Sequence, residues 1–438
     1  MQNLSQAQLK ELDLRHIWHP CTQMHDHEEI LPLIPIQRAK GVYLYDFEGK
    51  SYIDCISSWW VNLFGHCNEY INEKLRAQSQ ELEHLILAGF SHKPIIELAS
   101  RLCARLDSKL QKCFFADNGS SAIEVALKMA YHAKVLDCEN KAQSNPLFLS
   151  LQNAYHGETL GALSVGDVGI YKDIYEPILL KSLKCKSPNP NEQEALHDLE
   201  KLLDLHPNIV AFIIEPLVQC AGGMQMHSAS FVKNATLACQ KRGVYVIFDE
   251  IAVGFGRVGS MFAYEQCGVV PDFLCLSKGI SGGYLPLSVV VTSNEMYEKF
   301  YAPYQQTHKA FLHSHSYTGN ALACSCANAV LDIFDSTNVL QNNALLSAHI
   351  WECANALKDF AFVANVRQRG MIFAFDLVGF EGERKGIEVY NKALAKGLLL
   401  RPLGNTIYLM PPFIITKEHI DSIFASLCEI LCTIKKSL

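Results

Sequence analysis

The chain has 438 residues, 49% of them hydrophobic and 19% charged, with a formal net charge of −7. That balance describes a soluble globular protein with ample core, and the negative charge argues against a nucleic-acid surface. The length gives a prior of roughly three domains, but large α/β domains exceed that average, so two are expected. No apolar run reaches the ~18 residues of a membrane helix. The polar start, Met1 to Gln6, has no apolar signal segment, so a cytoplasmic location is expected.

Residues 1–40 are polar at first, then carry Trp18-His19-Pro20-Cys21-Thr22 and a run punctuated by Pro32 and Pro35. Three prolines this close break any continuous helix, so the segment reads as an extended arm. Val42–Asp46, Glu48-Gly49-Lys50 and Ser51–Ile56 read as a hairpin. It leads into Ser57-Ser58-Trp59-Trp60. On a regular strand neighbours point to opposite faces, so at most one of Trp59 and Trp60 faces a given pocket. Together these residues are expected to belong to a small domain.

Cys113–Ala116 is a short strand, followed by Asp117-Asn118-Gly119-Ser120-Ser121 and a helix over Ala122–Ala130. Ser121 and Glu124 fit a capping box, and Glu124–Lys128 an i,i+4 pair. A strand, a Gly-Ser turn and a helix start can bind an anion through free N–H groups and the helix dipole, or can simply be a capped helix. Leu147–Ser150 is another strand, with Tyr155-His156-Gly157 at its exit. Tyr155 is placed to stack on an aromatic ring. Ile209–Ile214 ends in a carboxylate, Glu215.

Val244–Phe248 is apolar without alternation, as in a strand buried on both faces. It ends in Asp249 and Glu250. Phe273–Leu276 ends in Ser277-Lys278-Gly279, with Gly282 and Gly283 close behind. Ligands of open α/β sheets bind outside the carboxyl ends of strands. An acid and a lysine converging there suit pyridoxal phosphate, which needs a carboxylate at its pyridine nitrogen and a lysine for its Schiff base. A buried Asp–Lys ion pair gives the same pattern. Leu287–Val291 is a further buried strand. Strands alternate with helical stretches from about 110 to 330, which predicts a mainly parallel sheet.

After residue 334 the character changes. Helical periodicity covers 340–360, Met371–Leu377 is strand-like, and Leu398-Leu-Leu-Arg401-Pro402 precedes Ile407–Pro412 and a closing helix. The expected domains are 1–60 (arm and hairpin, part of the small domain), 61–334 (large) and 335–438 (small, α+β). The 16 cysteines include no Cys-x-x-Cys. Cys103, Cys113 and Cys275 read as buried thiols. His25-Asp26-His27 and His313-Ser314-His315 are weak metal evidence, and no metal is expected.

Asn118–Lys128, Tyr155-His-Gly157, Ile214-Glu-Pro216, Asp249–Arg257 and Ser277-Lys-Gly279 resemble, in order and spacing, the class III, fold-type I pyridoxal-phosphate aminotransferases over nearly the whole chain. Trp18-His-Pro20, Ser57–Trp60 and Arg401–Pro412 look like the branch that aminates 8-amino-7-oxononanoate in biotin synthesis, with S-adenosylmethionine as amino donor. The resemblance implies an α/β large domain and a homodimer with shared active sites. It implies that Lys278 carries the cofactor and moves the proton, that Asp249 holds the pyridine nitrogen, and that Tyr155 stacks on the ring. Gly119, Ser120 and Ser121 would bind the phosphate, with Glu215 in the cofactor site. Ser316, within His313-Ser-His-Ser316, would add a hydroxyl from the partner subunit. Arg401 would clamp the substrate carboxylate, with Trp59, Trp60 and Gly283 on the substrate side. The family's usual His-Pro-Tyr-Thr is His19-Pro-Cys-Thr22 here, which leaves the donor contacts open.

The chemistry asks for these residue types independently. A lysine with pKa ~10.4 is neutral in only about one molecule in 2,500 at pH 7, so burial or neighbouring cations must lower it. A planar guanidinium matches a carboxylate bidentately, which favours Arg over Lys at 401. The alternatives are an ornithine or ω-amino-acid aminotransferase of the same class, and a doubly wound nucleotide-binding module. The second lacks both Gly-x-Gly-x-x-Gly after a first strand and a phosphate-loop lysine motif.

Overall fold

Seven strands form the central sheet in a computed structural model that describes residues 4–137 and 145–434. In chain order they are β1 (Leu110–Ala116), β2 (Leu147–Leu151), β3 (Ser182–Cys185), β4 (Ile209–Ile214), β5 (Tyr245–Asp249), β6 (Phe273–Leu276) and β7 (Ser288–Ser293). Their spatial order is β1-β7-β6-β5-β4-β2-β3. All pairings are parallel except those of β7, which runs against both neighbours. Every residue of β4 and β6 is buried, as expected for strands covered on both faces.

Helix α1 (Gly119–Asp137) closes part of that sheet. Ala122, Ile123, Ala126, Met129, Ala130 and Ala133 pack with Val210, Ile213, Ile247, Phe273 and Val290 in one buried cluster. Each large side chain of that cluster contributes roughly 1.5–3 kcal/mol of burial. The small residues of α1 let the helix lie close to the strands. Its cap differs from the expected box. Asn118 Oδ1 accepts from Ser121 N at 3.0 Å, so Asn118 is the capping side chain. Glu124 reaches instead to the N–H groups of Gly161 (2.7 Å) and Ala162 (3.3 Å). Lys128 Nζ lies 2.8 Å from His313 Nδ1, so the i,i+4 pair with Glu124 is replaced on both sides.

The chain divides into two compact units: Tyr70–Leu340, which holds the sheet above, and the residues up to Glu69 with those from Gln341 onward. The expected boundaries were after residues 60 and 334. In the smaller unit Ile36–Lys40, Tyr43–Asp46 and Ser51–Asp54 form an antiparallel meander, extended by Leu398–Leu399 running parallel to Ile53-Asp54. A second sheet has Val363–Arg369, Ile372–Leu377 and Thr406–Leu409, all antiparallel.

Two expectations about the smaller unit are corrected. The arm is not extended from its start: Gln6–His16 is helical, with Ser5 and Gln8 in a reciprocal capping box, and the prolines begin only after it. Ser57–Trp60 is not strand. All four residues lie at positive φ (53°, 45°, 73° and 73°) and make a left-handed turn. Left-handed backbone costs L-residues roughly 1–2 kcal/mol each, so something must hold it. Asp54 does. Its buried carboxylate accepts from Ile56 N (3.2 Å), Ser58 N (2.9 Å), Ser58 Oγ (2.8 Å) and His66 Nε2 (2.9 Å). Ser57 Oγ donates to Met410 O at 2.7 Å.

The cysteine reading also needs adjustment. Cys275 is buried, but Cys103 and Cys113 are only half-buried and face each other with sulfurs 3.7 Å apart. Among the described residues no helix is long and apolar enough to cross a membrane.

Candidate active site

The register of the central sheet brings the acids and the lysine to one edge. Ile214 pairs with Phe248, and Asp249 with Cys275. Glu215, Asp249 and Lys278 therefore leave the carboxyl ends of three adjacent parallel strands, β4, β5 and β6. Asp249 and Glu250 are sequence neighbours with opposite tasks. Asp249 Oδ2 accepts from His156 Nδ1 at 2.7 Å and Oδ1 from Ile251 N at 3.1 Å. Glu250 turns the other way and caps the turn at 263–264 through Ala263 N (2.6 Å) and Tyr264 N (2.7 Å). Burial pushes the Glu250 carboxyl up to about 8. The alternation of a strand thus separates a site carboxylate from a structural one.

Lys278 begins a short turn with φ +44°, a conformation that L side chains seldom take. The connection from β6 to β7 is a tight return, closed by Ser277 Oγ donating to Leu287 O at 2.8 Å and Ser281 Oγ to Leu285 O at 2.6 Å. Burial pushes the Lys278 amine below its ordinary range, and the charges of Asp249, Cys220 and Glu215 pull it partly back. Glu215 accepts from Cys220 N (2.9 Å) and Tyr155 N (3.2 Å). Burial, then the charge of Asp249, raises its carboxyl to about 8 against those hydrogen bonds.

Tyr155, His156 and Gly157 follow β2. Tyr155 is half-buried, with its hydroxyl donating to Glu158 Oε1 at 2.9 Å. A Cβ on Gly157 would fall 2.0 Å from Ser120 Oγ, so only glycine lets this loop close on the start of α1. Ser120 Oγ also accepts from Glu158 N at 3.2 Å. The first N–H groups of α1, those of Gly119 and Ser120, have no partner within the helix, whereas Ser121 N is taken by Asn118.

These residues fit pyridoxal phosphate. An ionised carboxyl offers about four acceptor positions, and Asp249 uses two, leaving room for a pyridine N–H. His156 holds the carboxylate through Nδ1, and its buried Nε2 has no hydrogen-bond partner among the described residues. The start of a 19-residue helix suits a phosphate. His156, Glu124 and Cys220 were not singled out from the sequence as functional residues. His156 had one signal, its place beside Tyr155 at the exit of a buried strand. Glu124 accepts from backbone 37 residues away, which no local pattern foretells, and Cys220 acts through its own backbone N–H, which leaves no mark on residue type.

The other candidates lie elsewhere in the fold. In the smaller unit the Arg401 guanidinium stands over the Trp59 ring, 4.8 Å from its centroid, and its Nη2 donates to Cys21 O at 3.2 Å. Trp59 is 37% exposed. Trp60 is buried, with its indole N–H donating to Tyr408 Oη at 3.1 Å, so only Trp59 of the two offers an open ring. In the larger unit Gly283 (φ +86°) is exposed beyond Lys278, and Ser316 is exposed on a loop.

Fold and site point to one class of enzyme. The family described as aminotransferase class-III matches residues 23–431, and the chain belongs to that family. The α/β fold expected from the sequence, that of the fold-type I pyridoxal-phosphate transferases, is the fold found. Among relatives, the adenosylmethionine-8-amino-7-oxononanoate aminotransferase of Helicobacter pylori is 57% identical over 98% of this chain and 99% of its own. That of Geobacter sulfurreducens is 39% identical over 94% and 95%. The crystal structure of the same enzyme from Methanocaldococcus jannaschii superposes with a TM-score of 0.93 at 35% identity, covering 98% of this chain and 99% of that one. An amine transaminase from an uncultivated Pseudomonas species, solved in a PLP-bound form, gives 0.87 at 29% identity over 95% and 98%.

Proposed function

We propose that this protein transfers an amino group from S-adenosylmethionine to 8-amino-7-oxononanoate, giving 7,8-diaminononanoate in biotin synthesis, with pyridoxal phosphate as cofactor. The observation that carries the reading is the convergence of Glu215, Asp249 and Lys278 at the ends of three adjacent strands, in a chain whose full-length relatives bear that name. When bound, pyridoxal phosphate supplies a carbonyl that exchanges amino groups and a ring that accepts electrons from the substrate Cα–H bond.

The residues have separable tasks. Asp249, braced by His156 and Ile251 N, holds the pyridine nitrogen protonated. The N–H groups at the start of α1, with the hydroxyls of Ser120 and Ser121, take the phosphate. Tyr155 covers one face of the ring. The amine of Lys278, deprotonated more easily because it is buried, binds the cofactor and then moves the proton between carbon atoms of substrate and cofactor. Arg401 takes the carboxylate of the oxo acid, and Trp59 covers its methylenes. Ser316 completes the phosphate site of a second copy in a homodimer. Leu312 and Tyr317, exposed apolar residues on either side of Ser316, suit a covered interface.

The test is a single half-reaction. S-adenosylmethionine added to holoenzyme should convert bound cofactor to its amine form, and 8-amino-7-oxononanoate should restore it. Conversion by ornithine or an ω-amino acid, but not by S-adenosylmethionine, would favour the neighbouring branches and place Cys21 among the causes. Lys278→Ala should remain folded, lose turnover by several orders of magnitude, and lose the borohydride-fixed cofactor peptide. A fixed adduct on another lysine with near-normal turnover would remove Lys278 from its role.

A further inference from the structure

In the smaller unit, three side chains from two helices bring donor atoms to one point. Helix α2 (Val339–Cys353) carries His349 and Cys353, four residues apart and so on one face. Helix α3 (Lys417–Leu431) carries Asp421. His349 Nε2 lies 2.6 Å from Asp421 Oδ1. Cys353 Sγ lies 3.4 Å from the same oxygen and 3.7 Å from the same nitrogen.

These separations match a known polyhedron. With Zn–S of about 2.3 Å and Zn–N and Zn–O of about 2.0 Å, a tetrahedral zinc spaces its ligand atoms ~3.5 Å (S to O and S to N) and ~3.3 Å (N to O). Both sulfur edges agree to within ~0.2 Å by that geometry. The nitrogen–oxygen edge must open by ~0.7 Å to meet it, and Asp421, with a side chain 59% exposed, has the freedom to turn.

The choice of nitrogen decides between two uses of the cluster. A proton relay from thiol to carboxylate would pass through both imidazole nitrogens, one facing each partner. Here sulfur and oxygen both approach Nε2. The other nitrogen, Nδ1, faces Glu352 Oε2 at 3.6 Å, the place from which a carboxylate orients a ligating imidazole. A simple His–Asp hydrogen bond would account for the short contact but not for the thiol meeting both atoms.

We propose that His349, Cys353 and Asp421 form a binding site for a divalent cation of the zinc class, with solvent as fourth ligand. Thiolate with imidazole selects zinc and cobalt over magnesium and calcium. Bound metal would tie α2 to α3, and none of the three residues belongs to the proposed active site.

The test uses purified holoenzyme, stripped with chelator and dialysed, with Co2+ as probe. Expected is uptake of one equivalent with intense visible d–d bands to the red of the cofactor absorption, displaced by Zn2+. Zn2+ should also raise the melting temperature of the unmodified protein. Cys353→Ser and His349→Gln should each weaken binding by at least about 10-fold, abolish the Zn2+-dependent rise in melting temperature, and leave aminotransferase turnover unchanged. Two results would overturn the site: no tetrahedral Co2+ signal in the unmodified protein, or the same signal in both variants, which would assign it to an adventitious ion elsewhere.

Discussion

Glu215 receives two backbone N–H groups, and its carboxyl still rises from 4.5 to about 8 because it is buried beside Asp249. The sign of its linkage follows. Between those values the folded protein binds a proton that the unfolded chain has released, so stability falls as pH rises through that window. Glu215→Gln keeps the neutral form permanently. Its stability should therefore fall less steeply than that of the unmodified protein between about pH 5 and 8, by at most about 1.4 kcal/mol per pH unit. Denaturant titrations across that range measure the difference; parallel curves would mean that Glu215 is ionised in the fold. Arg401 belongs to the same scale. Arg401→Ala should slow the half-reaction with the oxo acid by roughly 10²-fold or more in kcat/KM, and the half-reaction with the donor much less. Equal losses in single-turnover experiments would mean that it serves both substrates. Asp249, Lys278 and Arg401 were legible because each follows an apolar run that reads as a strand. Glu250 shows the limit: two adjacent carboxylates look alike in a sequence, and only the side each takes on the strand separates them.

Among the elements, the left-handed turn at Ser57–Trp60 is where sequence reasoning failed. Nothing in Ser-Ser-Trp-Trp favours positive φ; glycine or asparagine would be the signal. The conformation is imposed from outside, by Asp54 and by Ser57 bonding to Met410, a residue distant in sequence. Burial pushes the Asp54 carboxyl up, but bonds from His66 and Ser58 outweigh it and hold it below the usual range. That stabilisation is present above pH 4 and fades as acid protonates the group. Asp54→Ala should destabilise the protein by about 3 kcal/mol, because the donors that Asp54 satisfies lose their partner and the left-handed turn loses its brace. It should also raise KM for the oxo acid, because Trp59 rides on this turn; cofactor affinity should stay the same. Melting curves with parallel KM and cofactor titrations check this. Unchanged KM at reduced stability would leave Asp54 a structural role only. The Ser5–Gln8 box, by contrast, has the Ser-x-x-Gln spacing of a helix start in the sequence itself. The His349–Cys353 pair was hidden differently: its third member lies 68 residues away from Cys353, on another helix.

At the scale of the whole molecule, the middle of the large sheet was legible because strands such as β4 and β6 are buried on both faces and so read as unbroken apolar runs, whereas β3, three of whose four residues are only half-buried, gave no such run and was not expected. The smaller unit was less so, since its first sheet takes its fourth strand from residues 398–399, far along the chain. The proposed sharing of active sites between two copies gives a complementation test. Lys278→Ala mixed with Ser316→Ala, after confirmed subunit exchange, should regain activity, because a hybrid dimer then holds one site free of both lesions. Absence of recovery would argue that each site is built from one chain. The direction of β7 has a further consequence. Because β7 runs against β6, the chain turns back at the edge that carries Asp249 and Lys278 and never crosses to the opposite one between them. The opposite edge is left to plain turns such as Arg242-Gly243 before β5 and Gly268–Asp272 before β6. For anyone wishing to splice in a peptide tag or a reporter domain, the molecule has a working side and a serviceable side. Insertions after Gly243 or Gly268 fall on the second, whereas any insertion between Ser277 and Leu287 lands in the return that carries Lys278, at the proposed active site.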